Sequence, residues 1–167
     1  DRAAGELEAL RRESALAPPE PAYDATRLDI AHVYDNMLQA ADAAVLRIAQ
    51  SVLAAAVAEK QGHPAAAIAL LRAAVELQDR APYSEPPVWF YPVRETLGGA
   101  LLRAGQAAEA EKVFTDDLQH TPHNPRSLFG LSEAVKAQGR EADAARTRGE
   151  FTTGWSHAEG TLSIADL

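Results

Sequence analysis

His120 and His123 stand three residues apart in the segment His-Thr-Pro-His-Asn-Pro, with Asp116 and Asp117 just upstream. Two imidazoles and a carboxylate are ligands that zinc or copper accepts, but two histidines without a third fixed ligand leave such a site incomplete. Histidines near a helix end also interact with its terminal carbonyls, so no metal and no cofactor is assigned. Nucleophilic catalysis has no better footing. There is no cysteine, which removes thiolate chemistry, disulfides and Cys-ligated zinc. The serines at 14, 51, 84, 127, 132, 156 and 163 lack a Gly-x-Ser-x-Gly elbow or a nearby His/Asp pattern. The carboxylate pairs Asp116-Asp117 and Glu109/Glu111 fall on helix faces expected to be solvated, and no glycine-rich phosphate loop exists. No catalytic residue is assigned, and the expectation is a protein that is not an enzyme.

The most unusual composition lies at Tyr83, Glu85, Pro86, Pro87, Trp89, Phe90 and Tyr91. Aromatic rings and a carboxylate on a proline-stiffened segment suit a binding surface, because aromatics dominate interface hot spots. Trp89 and Phe90 are instead expected to pack over the helices that they join. Tyr83, Glu85 and Arg94 are expected to be reachable by a partner.

The elements that hold these groups are helical. The chain has 167 residues, 47% of them apolar and 24% charged, with a formal net charge of -8. This is a globular composition. Alanine, the strongest helix former, is the commonest residue. The acidic balance argues against nucleic acid, whose phosphates need Lys and Arg. The longest apolar run, 40–58, is broken by Asp42, Arg47, Gln50 and Ser51, so no membrane span is expected. A soluble protein of periplasm or cytoplasm fits equally, since the lack of cysteine selects neither. A start at Asp1 rather than Met suggests a processed product or a fragment.

Apolar residues at helical spacing predict helices over 1–13, 26–40, 43–61, 64–79, 93–104, 107–119, 126–137 and 141–157. Asp42 is a candidate cap for the third, Pro64 and Pro125 are suited to first helical positions, and Asn124 is suited to a cap. Prolines at 18, 19 and 21 mark a loop. No stretch alternates with period two, so no sheet is predicted.

The helix-breaking glycines set a repeat. Gly105 and Gly139 are 34 residues apart, and Gly62 precedes Gly105 by 43, the surplus fitting within 82–90. In that register Ala54, Leu97 and Leu131 align, as do Ala55, Gly98 and Ser132, then Ala58, Leu101 and Val135, then Ala67, Ala110 and Ala144. A 34-residue period of two helices, with small residues where they cross, is the tetratricopeptide pattern. The unit 91–124 resembles that family at Leu97-Gly98, Leu101, Gly105, Ala110, Phe114 and Pro122. The unit 125–158 resembles it at Leu128, Leu131, Val135, Gly139 and Ala144. It departs at Arg148, where the family has a large apolar residue, and at Ser156, where proline is usual. The unit 48–79 keeps Gly62, Ala67 and Leu71. The segment 81–131 also resembles the C-terminal part of a group of uncharacterised bacterial tetratricopeptide proteins.

The resemblance implies an all-α, right-handed solenoid of about seven helices in antiparallel hairpins. Segment 1–13 would be the orphan second helix of a truncated repeat, 14–47 a linker with an irregular helical segment, and 80–91 a Pro/aromatic insertion. The tail, 159–167, either continues the last helix and folds back as a cap on the open right-hand end of the array or reaches into a neighbour. First helices would line a concave face carrying Arg94, Glu95 and Gly98 from one repeat and Leu128, Ser132 and Glu133 from the next. The cationic clamp by which some family members grip a partner's terminal carboxylate is absent, Glu95, Gly99, Phe129 and Glu133 standing at four of its positions.

The expected function is a scaffold that binds a peptide or partner domain on the concave face of the array, with Tyr83, Glu85, Trp89, Tyr91, Arg94, Glu95, Ser132 and Glu133 as contacts. The alternatives are an accessory domain of a larger metal- or redox-handling protein, with His120, His123 and His157 near its site, and self-association through open ends.

Overall fold

The computed structural model of the chain describes residues 2–16, 30–81, 85, 87 and 89–167. Among them are seven α-helices and one short 3-10 turn, and no strand. They fall into two compact units, 1–91 and 92–167.

In the first unit, α1 (Arg2–Leu16) packs on α2 (Ile30–Lys60), and α2 pairs with α3 (Pro64–Asp79). Leu7, Ala43, Ile48, Ala55, Ala67, Ile68, Leu71 and Ala74 are buried. One helix runs through Asp42, where the periodicity had suggested a cap and a new start. The alanines on either side, Ala40, Ala41, Ala43 and Ala44, favour propagation. An aspartate inside a helix costs at most roughly 0.7 kcal/mol against alanine, less than breaking and restarting the helix. The stretch Ala41–Lys60 of α2 is, by length and composition alone, apolar enough to cross a membrane, with mean hydropathy 1.5. Asp42 and Arg47 do not bring it below that level, contrary to the reading that they would.

In the second unit, α4 (Val93–Arg103) and α5 (Ala107–His120) form one hairpin, and α6 (Pro125–Ala137) and α7 (Glu141–Gly154) the next, with α5 packed on α6. Gly105 and Gly139 end α4 and α6 at φ 74° and 78°, as Gly62 ends α2 at 79°. There the chain reverses through a conformation that glycine adopts without a Cβ clash. The amides of Gly105 and Gln106 then donate back to the carbonyls of Leu102 and Leu101. Asn124 caps α6, its side chain accepting from the Arg126 amide at 3.1 Å, and Pro125 opens the helix. The preceding His123 has φ 63°, so this imidazole belongs to a tight left-handed turn.

Phe114 is the centre of the second unit, with no exposed surface. Its ring lies against Gly98 of α4 on one side and Gly130 of α6 on the other. One large side chain on a second helix thus joins the first helices of two successive hairpins. Leu97, Ala100, Leu101, Ala110, Leu128, Phe129, Ala134, Val135, Ala144 and Phe151 complete the core.

Candidate functional site

The residues expected to form a concave contact surface divide by burial. Arg94 and Glu95, in the first turn of α4, are 9% and 2% exposed. Arg94 Nε donates to Asp116 Oδ2 at 2.6 Å. Glu95 accepts from Arg126 Nε at 2.6 Å and from Asn124 Nδ2 at 2.7 Å. Ser132 is buried, its hydroxyl donating to the Phe129 carbonyl at 2.7 Å. Arg94 and Glu95 are therefore not open to a partner as the sequence suggests. A charge removed from water is held only when it is paired and hydrogen-bonded, and α5, the turn before α6 and α6 itself supply the pairs.

These bonds continue into a polar network at the junction of α4, α5 and α6. Asp117, 2% exposed, accepts from Ser127 Oγ at 2.6 Å and from Asn124 Nδ2 at 3.2 Å. The expectation that Asp116-Asp117 is a solvated pair thus fails for Asp117. Helical spacing puts it on the side of α5 that α6 covers, and Asn124 and Ser127 stand there to satisfy it. His120 is tied to the same helix end, its Nδ1 lying 2.9 Å from the Asp116 carbonyl. Among the described residues no three His, Asp or Glu side chains converge where an ion could be held.

Glu133 is half-buried and pairs with Arg148 of α7 at 2.9 Å. The Arg148 guanidinium lies over two rings, 4.8 Å from the centre of Phe129 and 5.0 Å from that of Phe151, in cation–π range. Arg148 and Glu133 border a cleft of about 310 Å³ with Ser132, Lys136, Glu141, Ala144 and Ala145. Phe114 stands 34 residues earlier and joins α4 to the next first helix. At the equivalent place after α6 stands an arginine, so the outer face of the α6–α7 hairpin is charged and grooved.

Of the aromatic segment, Tyr83 lies outside the described residues. Glu85 is exposed. Trp89 is half-buried, and its buried Nε1 meets no acceptor among the described residues. Tyr91 is 46% exposed, and its carbonyl accepts from Gln78 Nε2 at 3.1 Å. Phe90, expected to pack over helices, is 84% exposed. Of the three consecutive aromatic residues 89–91, Trp89 is the one turned inward.

The tail carries contacts that helical periodicity could not reveal. Beyond α7, the Trp155 ring stacks on Phe151 at 5.7 Å, and the chain turns back. Ile164–Asp166 forms one 3-10 turn against α4. Leu167 is buried against Gly99, where a Cβ would come within 2.7 Å of the Leu167 Cβ. Arg103 Nη1 donates to the Ile164 carbonyl at 2.8 Å, and Arg126 Nη2 donates to the Asp166 carbonyl. The tail neither extends α7 nor covers the α6–α7 end.

No family model matches the chain. A stretch of 67 residues is 39% identical to an uncharacterized protein of Aquifex aeolicus (strain VF5). The match covers 39% of this chain and 9% of that relative, so the chain spans a small part of the curated protein that it matches. In three dimensions the chain is similar to the crystal structure of the MamA protein, with a TM-score of 0.55 and 15% identity, covering 94% of this chain and 79% of that one. At that identity the likeness shows the fold, an all-helical one of the tetratricopeptide-like type.

Proposed function

We propose that the chain is a non-enzymatic scaffold of a bacterial tetratricopeptide protein that binds a peptide segment or partner domain. The observation that carries this is the exposure of Phe90 and Tyr91, the large hydrophobic side chains that face solvent among the described residues. Adjacent exposed rings beside the half-buried Trp89, with Glu85 in the same segment, suit a docking patch rich in aromatic contacts. Tyr83 belongs to the patch by sequence. The likeness to MamA supports an interaction fold, since helix hairpins of this kind present side chains along their helices rather than enclosing a reaction.

On this reading Glu85, Trp89 and Tyr91 contact the partner directly, and Glu133 is a separate contact at the cleft it borders with Arg148 in the second unit. Arg94, Glu95 and Ser132 position α4 and α6 within the second unit. The net charge of -8 favours a basic or neutral partner and an association that weakens with salt.

The test is selection of displayed random peptides on the wild-type chain, followed by binding to Phe90→Ser/Tyr91→Ser. Enriched peptides should bind the double variant at least about tenfold more weakly, in line with the loss of a hot-spot pair, while its circular dichroism stays wild-type. Peptides indifferent to both substitutions, or no enrichment, would overturn the proposal.

A further inference from the structure

The stripe Glu95, Gly99, Arg103 runs along one side of α4 at four-residue spacing, and residues so spaced share a helix face. A segment of polypeptide already lies on it. Leu167 fills the notch left by the missing side chain of Gly99, and it is 7% exposed. Two guanidinium groups hold the segment by its main chain, Arg103 at the Ile164 carbonyl and Arg126 at the Asp166 carbonyl. Glu95 fixes Arg126 in turn, through a 2.6 Å ion pair in which the carboxylate is buried. The segment is itself ordered as a turn. Asp166 Oδ2 accepts from the Ser163 amide at 2.8 Å and from the Ser163 hydroxyl at 2.6 Å.

Main-chain carbonyls are common to every peptide, so this grip does not depend on most of the side chains it holds. Specificity rests on one anchor of leucine size and on a Ser/Asp pair that preforms the turn. The residues linking this turn to α7 are mostly exposed, 156–161 entirely so, and they bury little that would resist its release.

We propose that the Glu95–Gly99–Arg103 stripe of α4, together with Arg126, is a binding site for a partner peptide of the pattern Ser/Thr-x-x-Asp-Leu, and that Ser163–Leu167 occupies it in place of that partner. The inference rests on the reading of the chain as a peptide-binding scaffold, but on a surface other than the aromatic segment. The tail competes as a tethered ligand. A short flexible tether gives an effective concentration on the order of millimolar, so a partner in solution binds measurably only when it exceeds that competition or when the tail is weakened.

The probe is a fluorescein-labelled peptide of residues 160–167, Gly-Thr-Leu-Ser-Ile-Ala-Asp-Leu, read by anisotropy against the full chain. Leu167→Asp removes the anchor of the resident tail and should bind the peptide at least about tenfold more tightly than wild type. Adding Gly99→Ala, whose Cβ would meet the incoming leucine, or Arg103→Ala should abolish that gain. A Leu167→Asp chain of wild-type helicity that binds the peptide no better than wild type, or not at all up to about 1 mM, would overturn the proposal. Should Leu167→Asp lose helicity, Ser163→Ala/Asp166→Ala loosens the turn without altering the anchor and is judged by the same gain. Phe90→Ser/Tyr91→Ser should leave the peptide affinity unchanged, so failure at the aromatic patch and failure at the α4 stripe are read separately.

Discussion

The ring of Phe114 occupies the space that any side chain at Gly98 would need, since a Cβ there would lie 2.3 Å from Phe114 Cζ. Gly130 presses the ring from the other side, its own Cβ position 2.2 Å from the same atom. The ring cannot retreat from one glycine without meeting the other. Gly98→Ala gains up to about 1 kcal/mol of helix propensity, but overpacking a closed site costs about 1–3 kcal/mol. The clash should win, so Gly98→Ala and Gly130→Ala should each lower stability in urea unfolding. Phe114→Leu in the Gly98→Ala background should recover part of the loss.

Asp117 and Asp143 are both paired carboxylates on second helices, yet their removal should have unequal effects. Asp117→Ala leaves the fully buried Ser127 hydroxyl without its acceptor and takes one from Asn124, at a cost of about 1–3 kcal/mol. Asp143 bonds the exposed arginines Arg140 and Arg146, and solvent can replace it there. Asp143→Ala should stay within about 0.5 kcal/mol of wild type. Paired urea midpoints measure the contrast.

Glu111 gives the second unit an acid-sensitive tie between hairpins. Hydrogen bonds from Arg140 and from Gln138 hold its carboxyl below the ordinary glutamate range, where Arg140 Nη1 donates at 2.8 Å. A group lowered in this way stabilises the folded chain in full above its unfolded value of about 4.3. That contribution is lost as pH falls through the lower folded value, because there the unfolded chain takes up the proton first. Thermal midpoints of wild type and Glu111→Gln should differ most near pH 7 and converge below pH 4. A gap that widens on acidification would contradict the assignment.

Arg148 marks where stacking stops. Arg148→Phe would restore the residue type found at Phe114 and would lose the Glu133 ion pair and the cation–π contacts. The outer face of the α6–α7 hairpin would become apolar, suited to another first helix. Light scattering should show stronger concentration-dependent self-association than in wild type, with little change in helicity. An unchanged mass at all concentrations would mean that the arginine is not what keeps this end closed to further hairpins.

Helix positions in the second unit were legible from the sequence because their causes are local. Periodic apolar residues, the glycines at 105 and 139 and the Asn124-Pro125 cap act within a few residues of themselves. The observed Val93–Arg103, Ala107–His120 and Pro125–Ala137 each differ from the expected span by one residue at one end, whereas Glu141–Gly154 stops three residues short of the expected 157. The small residue at Gly98 and the departure at Arg148 were also readable from the 34-residue register. Gly130 was not, since it contacts Phe114 from a neighbouring hairpin and has no counterpart in the repeat alignment.

What tertiary structure decided is which side chains are covered and by what. Sequence presents Arg94, Glu95 and Asp117 as ordinary surface charges, and only the approach of α5 and α6 supplies Asp116, Arg126, Asn124 and Ser127 to bury them against. The same holds for the exposed Phe90 and for the tail, whose apolar residues have no periodicity to assign them a face. Local propensity sets where a helix begins and ends. Burial and pairing depend on groups tens of residues away, from 10 residues for Asp117 and Ser127 to 61 for Arg103 and Ile164, and such partners are brought together only by packing.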